Sequence, residues 1–368
     1  MATKTWSGGT DNWNDAANWT PAGVPVTGDD VIIDTAGATV TLDDHIGGGQ
    51  TNTGLASLTI NAGTLYTNDG SNRMLTVTGK TLIGAGSGVA GDAVLNCTGS
   101  DMFLGSTSTT ERGLHVQRGG TFTGGTGTHT IGSIIADNSA ELSVTLTSGV
   151  TTINGKQYSS SSIFIANGGT FAHGGGTVTL TYAGTTRVYM YNDKALNNFI
   201  INNGGNTVEV YQDLTVAGNL TITAGTVNTM SSLNRALTVT GKTKVGDDSS
   251  AADTATLTLN GSVCSLGAAY TSGYAVDIAV GGTLAAGATG NWTVGSFYMA
   301  QSASAKATMT NAECKITSEY TTGNKCWRVE YGGDTFDNNN GTVKFNFNGF
   351  DSRMSMRSES HANNAFHN

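Results

Sequence analysis

Apolar and polar residues alternate with a period of two in short runs along almost the whole chain. The runs include VII at 31–33, ATVTL at 38–42, LTI at 58–60 and LTV at 75–77. Later ones are TVTLTY at 177–182, TVEVY at 207–211, LTV at 214–216, LTI at 220–222, LTV at 237–239, LTL at 257–259 and VKFNF at 343–347. Such alternation marks strands with one buried face. Glycine-rich breaks at 47–49, 124–125, 174–176 and 204–205 separate the runs, and no segment sustains a 3.6-residue apolar period. The pattern predicts an all-β chain.

The runs also repeat. Residues 57–84 (SLTINAGTLYTNDGSNRMLTVTGKTLIG) and 219–246 (NLTITAGTVNTMSSLNRALTVTGKTKVG) share 17 of 28 positions at an offset of 162. The identities include Leu58/Leu220, Ile60/Ile222, Gly63/Gly225, Arg73/Arg235, Val77/Val239, Gly79/Gly241 and Lys80/Lys242. Gly119-Gly120-Thr121-Phe122 returns as Gly281-Gly282-Thr283-Leu284, and Thr177-Val178 as Thr342-Val343. Small insertions shift the offset, as expected where loops project from a regular stack. Two tandem modules are predicted, 38–205 and 206–368, behind a distinct N-terminal segment, 1–37. Residues 364–368 align with the place where the first module hands over to the second, so the polypeptide is expected to continue, or to be cleaved, after 368.

Very short strands, dense glycine punctuation and recurring GGT and AGT phrases point to a right-handed parallel β-helix. In such a solenoid each coil contributes a few short strands and like residues stack from coil to coil. Tandem antiparallel sandwiches are the alternative, but they carry longer strands and clearer two-residue turns. Proline supports the solenoid. Pro21 and Pro25 are the only two, and both precede the repeats. A residue without a backbone donor is excluded where strands pair on both sides.

The N-terminal segment reads Trp6-Ser7-Gly8-Gly9, Asn12-Trp13, Asn18-Trp19, Pro25 and then Gly28-Asp29-Asp30-Val31-Ile32-Ile33. This phrase, W-x-G…NW…NW…P…GD-x-V-x-I, resembles the opening of β-helical phage virion proteins of the tail-fibre or spike kind. It is also similar to autotransporter and adhesin-type passengers. The likeness covers about the first 35 residues and implies an architecture more than a chemistry. Trp6, Trp13 and Trp19 are expected to cap the open end of the stack, where a free sheet edge invites aggregation. A sugar-stacking platform is the functional alternative.

Composition narrows the function classes. Charged residues make up 12% of the chain, about half of the usual quarter. The net charge is −9 with no run of Lys or Arg, which argues against a nucleic-acid partner. No apolar stretch reaches the roughly 18 residues that span a bilayer, and no secretory signal opens the chain. Synthesis in a host cytoplasm and a place on a virion surface are therefore expected, with a bacterial cell surface as the alternative. Cys97, Cys264, Cys314 and Cys326 form no CxxC and read as buried thiols, with a Cys314–Cys326 bridge the other option.

No G-x-S-x-G, H-E-x-x-H or P-loop occurs, and the six histidines lack ligand spacing. No catalytic constellation is expected. The least repeated stretch, 319–336, still gathers Glu319, Lys325, Trp327, Arg328, Glu330 and Asp334. Glu319, Glu330 and Asp334 with Arg328 are thus the catalytic candidates for a glycan depolymerase, because sugar cleavage needs two carboxyls about 5–10 Å apart. Trp327, Tyr189 and Tyr191 are the binding candidates. Calcium has oxygen ligands in Asn68-Asp69-Gly70 and in 337–341 (DNNNG), but neither fits the EF-hand pattern and Asn-Gly turns account for both. No metal or cofactor is expected.

These observations favour a structural or receptor-binding virion protein: a tail fibre, spike or decoration protein that presents a rigid β-helical rod to host cell-surface polysaccharide. A depolymerase on the same scaffold is the first alternative and a bacterial adhesin the second. The expected partners are other virion proteins and further copies of the chain. Strands near 187–191 and 343–350 carry apolar groups on both faces, which one narrow coil cannot bury. A homotrimer with contacts there is expected.

Overall fold

A computed structural model describes residues 1–46, 54–86, 93–105, 113–157, 160–191, 193–230, 232–248, 254–287, 289–318, 325–330, 336–346 and 353–356. The chain is all-β. Among the described residues the only helical element is a single 3₁₀ turn, Ala16–Asn18, whose first turn is capped by the Asp15 carboxylate accepting from the Ala17 amide. Two compact units form, one from 1–182 with 189–194 and the other from 183–188 with 195–368.

In the first unit the chain lays down one strand on each of three parallel ladders, then begins again. Thr81–Ile83, Ala93–Asn96 and Met102–Leu104 make one such coil. Leu114–Val116, Gly120–Thr123 and His129–Ile131 make the next, followed by Ile134–Ala136, Ser143–Thr145 and Val150–Ile153. Ser161–Ile165, Thr170–Ala172 and Thr177–Leu180 come after them. Leu114 pairs with Thr81 on one side and Ile134 on the other, and Ile134 pairs with Ile163, all parallel. Along most of these strands, successive side chains alternate between the inward and outward faces. Leu114, Val116, Ile134, Ala136, Ile163 and Ile165 are all buried, each large one contributing about 1.5–3 kcal/mol.

The second unit follows the same plan. Its coils include Thr243–Val245, Ala255–Leu259 and Cys264–Leu266, then Val276–Ile278, Gly282–Ala286 and Trp292–Val294. Phe297–Met299, Lys306–Thr308 and Glu313–Ile316 form the next. Lys325–Val329, Phe336–Asp337 and Thr342–Phe345 form another.

The repeated sequence folds with a repeated register. Leu58 pairs with Thr81 and Gly63 with Ala93, just as Leu220 pairs with Thr243 and Gly225 with Ala255. Each glycine sits where one strand turns from the first ladder onto the second. Their φ values, +85° and +95°, are left-handed, a region that side chains with a Cβ avoid.

At the N-terminus, Thr3–Trp6 pairs antiparallel with Trp19–Thr20 and parallel with Asp30–Thr41. Trp19 packs edge-on against Trp6 and Trp13 with ring centroids 4.9 and 4.8 Å apart. Its indole donates to the Trp13 carbonyl at 2.8 Å, and Trp6 donates to Gly9 at 3.1 Å. All three rings are at most 1% exposed, so none offers a face to a sugar. Cys97, Cys264 and Cys314 are buried free thiols; burial drives the Cys264 and Cys314 thiols up to about 12. Cys314 therefore forms no bridge to Cys326.

Candidate functional site

Aligning the two units strand by strand separates what the duplication kept from what it changed. On the first ladder the inward column Ile60, Ile83, Val116, Ala136, Ile165 corresponds to Ile222, Val245, Ile278, Met299, Val329. Both columns are apolar and buried. The outward column between them is a different story. Leu82, His115, Ile135 and Phe164 in the first unit correspond to Lys244, Asp277, Tyr298 and Arg328 in the second. Three apolar residues and a histidine in one unit correspond to a charged and aromatic strip in the other.

The charged strip gathers several ion pairs and aromatic contacts. The Lys242 ammonium lies 2.5 Å from the Asp277 carboxylate, and Lys244 pairs with Asp248. Tyr274 stacks on Tyr298 with centroids 5.0 Å apart and planes 21° from parallel. The Arg328 guanidinium lies 5.7 Å from the Tyr298 ring centroid and pairs with Glu330, which is 6% exposed. Burial pushes the Tyr298 phenol above its usual value; Asp277 and Asp248 add to this and Arg328 opposes it. Each carboxylate is engaged by a neighbouring cation, an arrangement that balances charge across a partly buried face.

The predicted residues fall in different places. Arg328 and Glu330 are brought together. Glu319 and Asp334 lie outside the described residues. Trp327 is an inward residue, 0% exposed, stacked on Phe297 with centroids 4.5 Å apart and edge-on to Phe336 at 5.8 Å. The ring facing outward beside it is Tyr298. Tyr189 and Tyr191 do point outward, half-buried, and form a cluster with Phe164 in the first unit. The Phe164 centroid is 5.4 Å from Tyr189 and 6.0 Å from Tyr191. His115, in the same outward column, is buried and bonded to Asp137 at 2.8 Å.

Sequence reasoning missed Lys242, Tyr274, Asp277 and Tyr298. The signal available was the strand alignment itself, since Lys242 repeats Lys80 while its partner Asp277 replaces His115.

The calcium candidates use their oxygens internally. Asp69 binds Arg73 at 2.7 and 3.0 Å and also accepts from the Ser71 amide. Asp337 accepts from the Asn339 amide and Asn338 from the Asn340 amide. Among the described residues no three His, Cys, Asp or Glu side chains are placed to hold a metal ion.

Comparison with known proteins gave no match: no family model, no curated protein and no solved structure matches the chain.

Proposed function

We propose that the chain is a receptor-binding or structural protein of a phage surface, a tail fibre, spike or decoration protein, built as a right-handed parallel β-helix. The observation that carries this reading is the divergence of the outward columns on a duplicated core. A catalytic centre is normally single, whereas a display scaffold gains avidity from several weak contacts. A repeat that keeps an apolar pair at Ile60/Ile222 and Val116/Ile278 but has Lys244 where the first unit has Leu82 preserves the frame and varies what it shows. The buried Trp6, Trp13 and Trp19 would close the first coil against edge pairing. The Phe164, Tyr189 and Tyr191 cluster is the proposed contact between copies in a homotrimer, and host polysaccharide is the proposed external partner. Mass spectrometry and immunogold labelling of purified particles test the reading. Presence of the chain on particles supports it, and its restriction to the soluble cell fraction overturns it.

A depolymerase is the second reading, favoured by Glu330 at 6% exposure beside Arg328 and Tyr298. Release of reducing ends or unsaturated uronates from host capsule, lost in Glu330→Gln, would select it. A secretion-system neighbourhood in the genome would instead select a bacterial adhesin.

A further inference from the structure

The second unit carries a groove on its second ladder. Thr256 pairs in register with Thr283, and Thr283 with Lys306. All three are outward positions, so they stand in a column about 4.8 Å apart. Thr254, Gly281, Ser302, Ala303 and Ser304 complete the lining of an open groove of about 530 Å³, within the usual range for small-ligand sites of about 300–1,000 Å³. Two of its hydroxyls are held in place. Ser302 and Ser304 bond each other at 2.8 Å, and the Ser304 hydroxyl accepts from the Gly281 amide at 3.0 Å. Lys306 is exposed, and among the described residues none of the ion pairs involves it. Among the described residues the lining thus holds five hydroxyls and one ammonium, and no carboxylate.

That combination suits one ligand chemistry. Hydroxyls that both donate and accept match the ring hydroxyls of a saccharide, and an unneutralised ammonium in a concave wall matches a carboxylate. We infer that the groove formed by Thr254, Thr256, Thr283, Ser302, Ser304 and Lys306 is a subsite for an acidic saccharide, a uronate or sialate unit, with its carboxylate on Lys306. The inference rests on the surface-protein reading above and adds to it the sugar class and the residues that select it. The column fixes the direction as well. A chain of sugars runs along the stack from Thr256 over Thr283 and meets the cation at Lys306.

Calorimetric titration of the purified chain tests this. Tri-galacturonate and 3′-sialyllactose serve as acidic probes, maltotriose and lactose as neutral ones, and sodium sulfate as a bare anion. The acidic sugars should bind at least ten-fold more tightly than the neutral ones, and sulfate should not compete. Whichever acidic probe binds more tightly identifies the unit. Lys306→Gln should lose at least ten-fold for the acidic probes, and Thr283→Val several-fold, with melting temperatures unchanged because both positions are outward. Equal binding of neutral and acidic sugars, unchanged binding by Lys306→Gln, or no binding of either acidic probe overturns the inference. If both variants attach to host cells as the native chain does, the groove fails and the surface-protein reading stands. If the chain is absent from particles, that reading fails whatever the titration gives.

Discussion

Replacing Trp327 by Ala, and Tyr298 by Ala beside it, separates an inward residue from an outward one on neighbouring strands of the first ladder. Trp327 is fully buried, and its ring stacks on Phe297 and meets Phe336 edge-on. Removing a buried Trp costs about 3–5 kcal/mol in transfer and cavity terms, with the two aromatic contacts part of that loss. For a unit of this size each kcal/mol lowers the melting temperature by about 2–4 °C, so Trp327→Ala should melt about 6–20 °C lower. Tyr298 is half-exposed on the outward column, and Tyr298→Ala should cost about 1 kcal/mol or a little more, chiefly its stack with Tyr274. Circular dichroism melts of both variants, with acrylamide quenching of the native protein, provide the assay. A Trp327→Ala melt within about 1 °C of native would refute the inward placement of Trp327 and the strand alignment from which it follows.

Three further outcomes are expected. His129 is buried, and desolvation lowers its pKa to about 4, outweighing the backbone of Ser100, the charge of Asp101 and the backbone of Gly124, which push upward. The unfolded chain takes up that proton near 6.5, so stability is full above about pH 6.5 and falls toward pH 4 by about 3 kcal/mol. Urea midpoints at pH 7 and pH 4.5 should show this slope, and His129→Leu should flatten it. A Cβ at Gly225 would lie 1.6 Å from the Asn203 Oδ1 and one at Gly63 2.6 Å from the Thr35 carbonyl oxygen, both at positive φ. Ala at either position should cost at least about 2 kcal/mol. Gly205→Ala, at φ +85° but with nothing within 4 Å, should cost about 1 kcal/mol; equal unfolding midpoints for the three would contradict the close approach. Tyr189→Ser with Tyr191→Ser should turn the proposed trimer into monomers by light scattering at micromolar concentration, and an unchanged mass would remove those residues from the contact.

The strands were legible because their cause is local. Leu58-Thr59-Ile60 shows its inward and outward positions by alternation alone, and the structure keeps that parity. The repeat was legible too, since 57–84 and 219–246 pair with their neighbours in the same register. Parity failed as a guide at Trp327. Cys326 and Trp327 are both fully buried, and the register shifts between Lys325 and Trp327. A bulge of this kind breaks the period of two that the sequence reading relies on. Phe297-Tyr298-Met299 is uniformly large and apolar, so alternation could not say which ring faces out. Pairs such as Lys242 and Asp277 left no spacing signal because the coils differ in length. One step on the first ladder runs from Leu114 to Ile134 and the next from Ile134 to Ile163.

The core also records how the duplicated coils stayed packed while changing. Ile134 and Ile163 correspond to Phe297 and Trp327, two enlargements on neighbouring coils of the first ladder. On the second ladder the changes run the other way. Phe122 and Val144 correspond to Leu284 and Ala307, all four buried. Ile134 and Val144 belong to one coil, as do Phe297 and Ala307, so the gain on one wall is matched by a loss on the next. Interiors packed at crystal-like density tolerate exchanges that conserve total volume and resist those that do not. An inward side chain is constrained by the coils on both sides and by the facing ladders, and it changes only in company. A half-buried outward side chain answers to its own column, and Leu82 and Lys244 occupy equivalent positions beside inward columns that are both apolar. The differences between the units therefore concentrate in the outward columns, and the likeness in the inward ones.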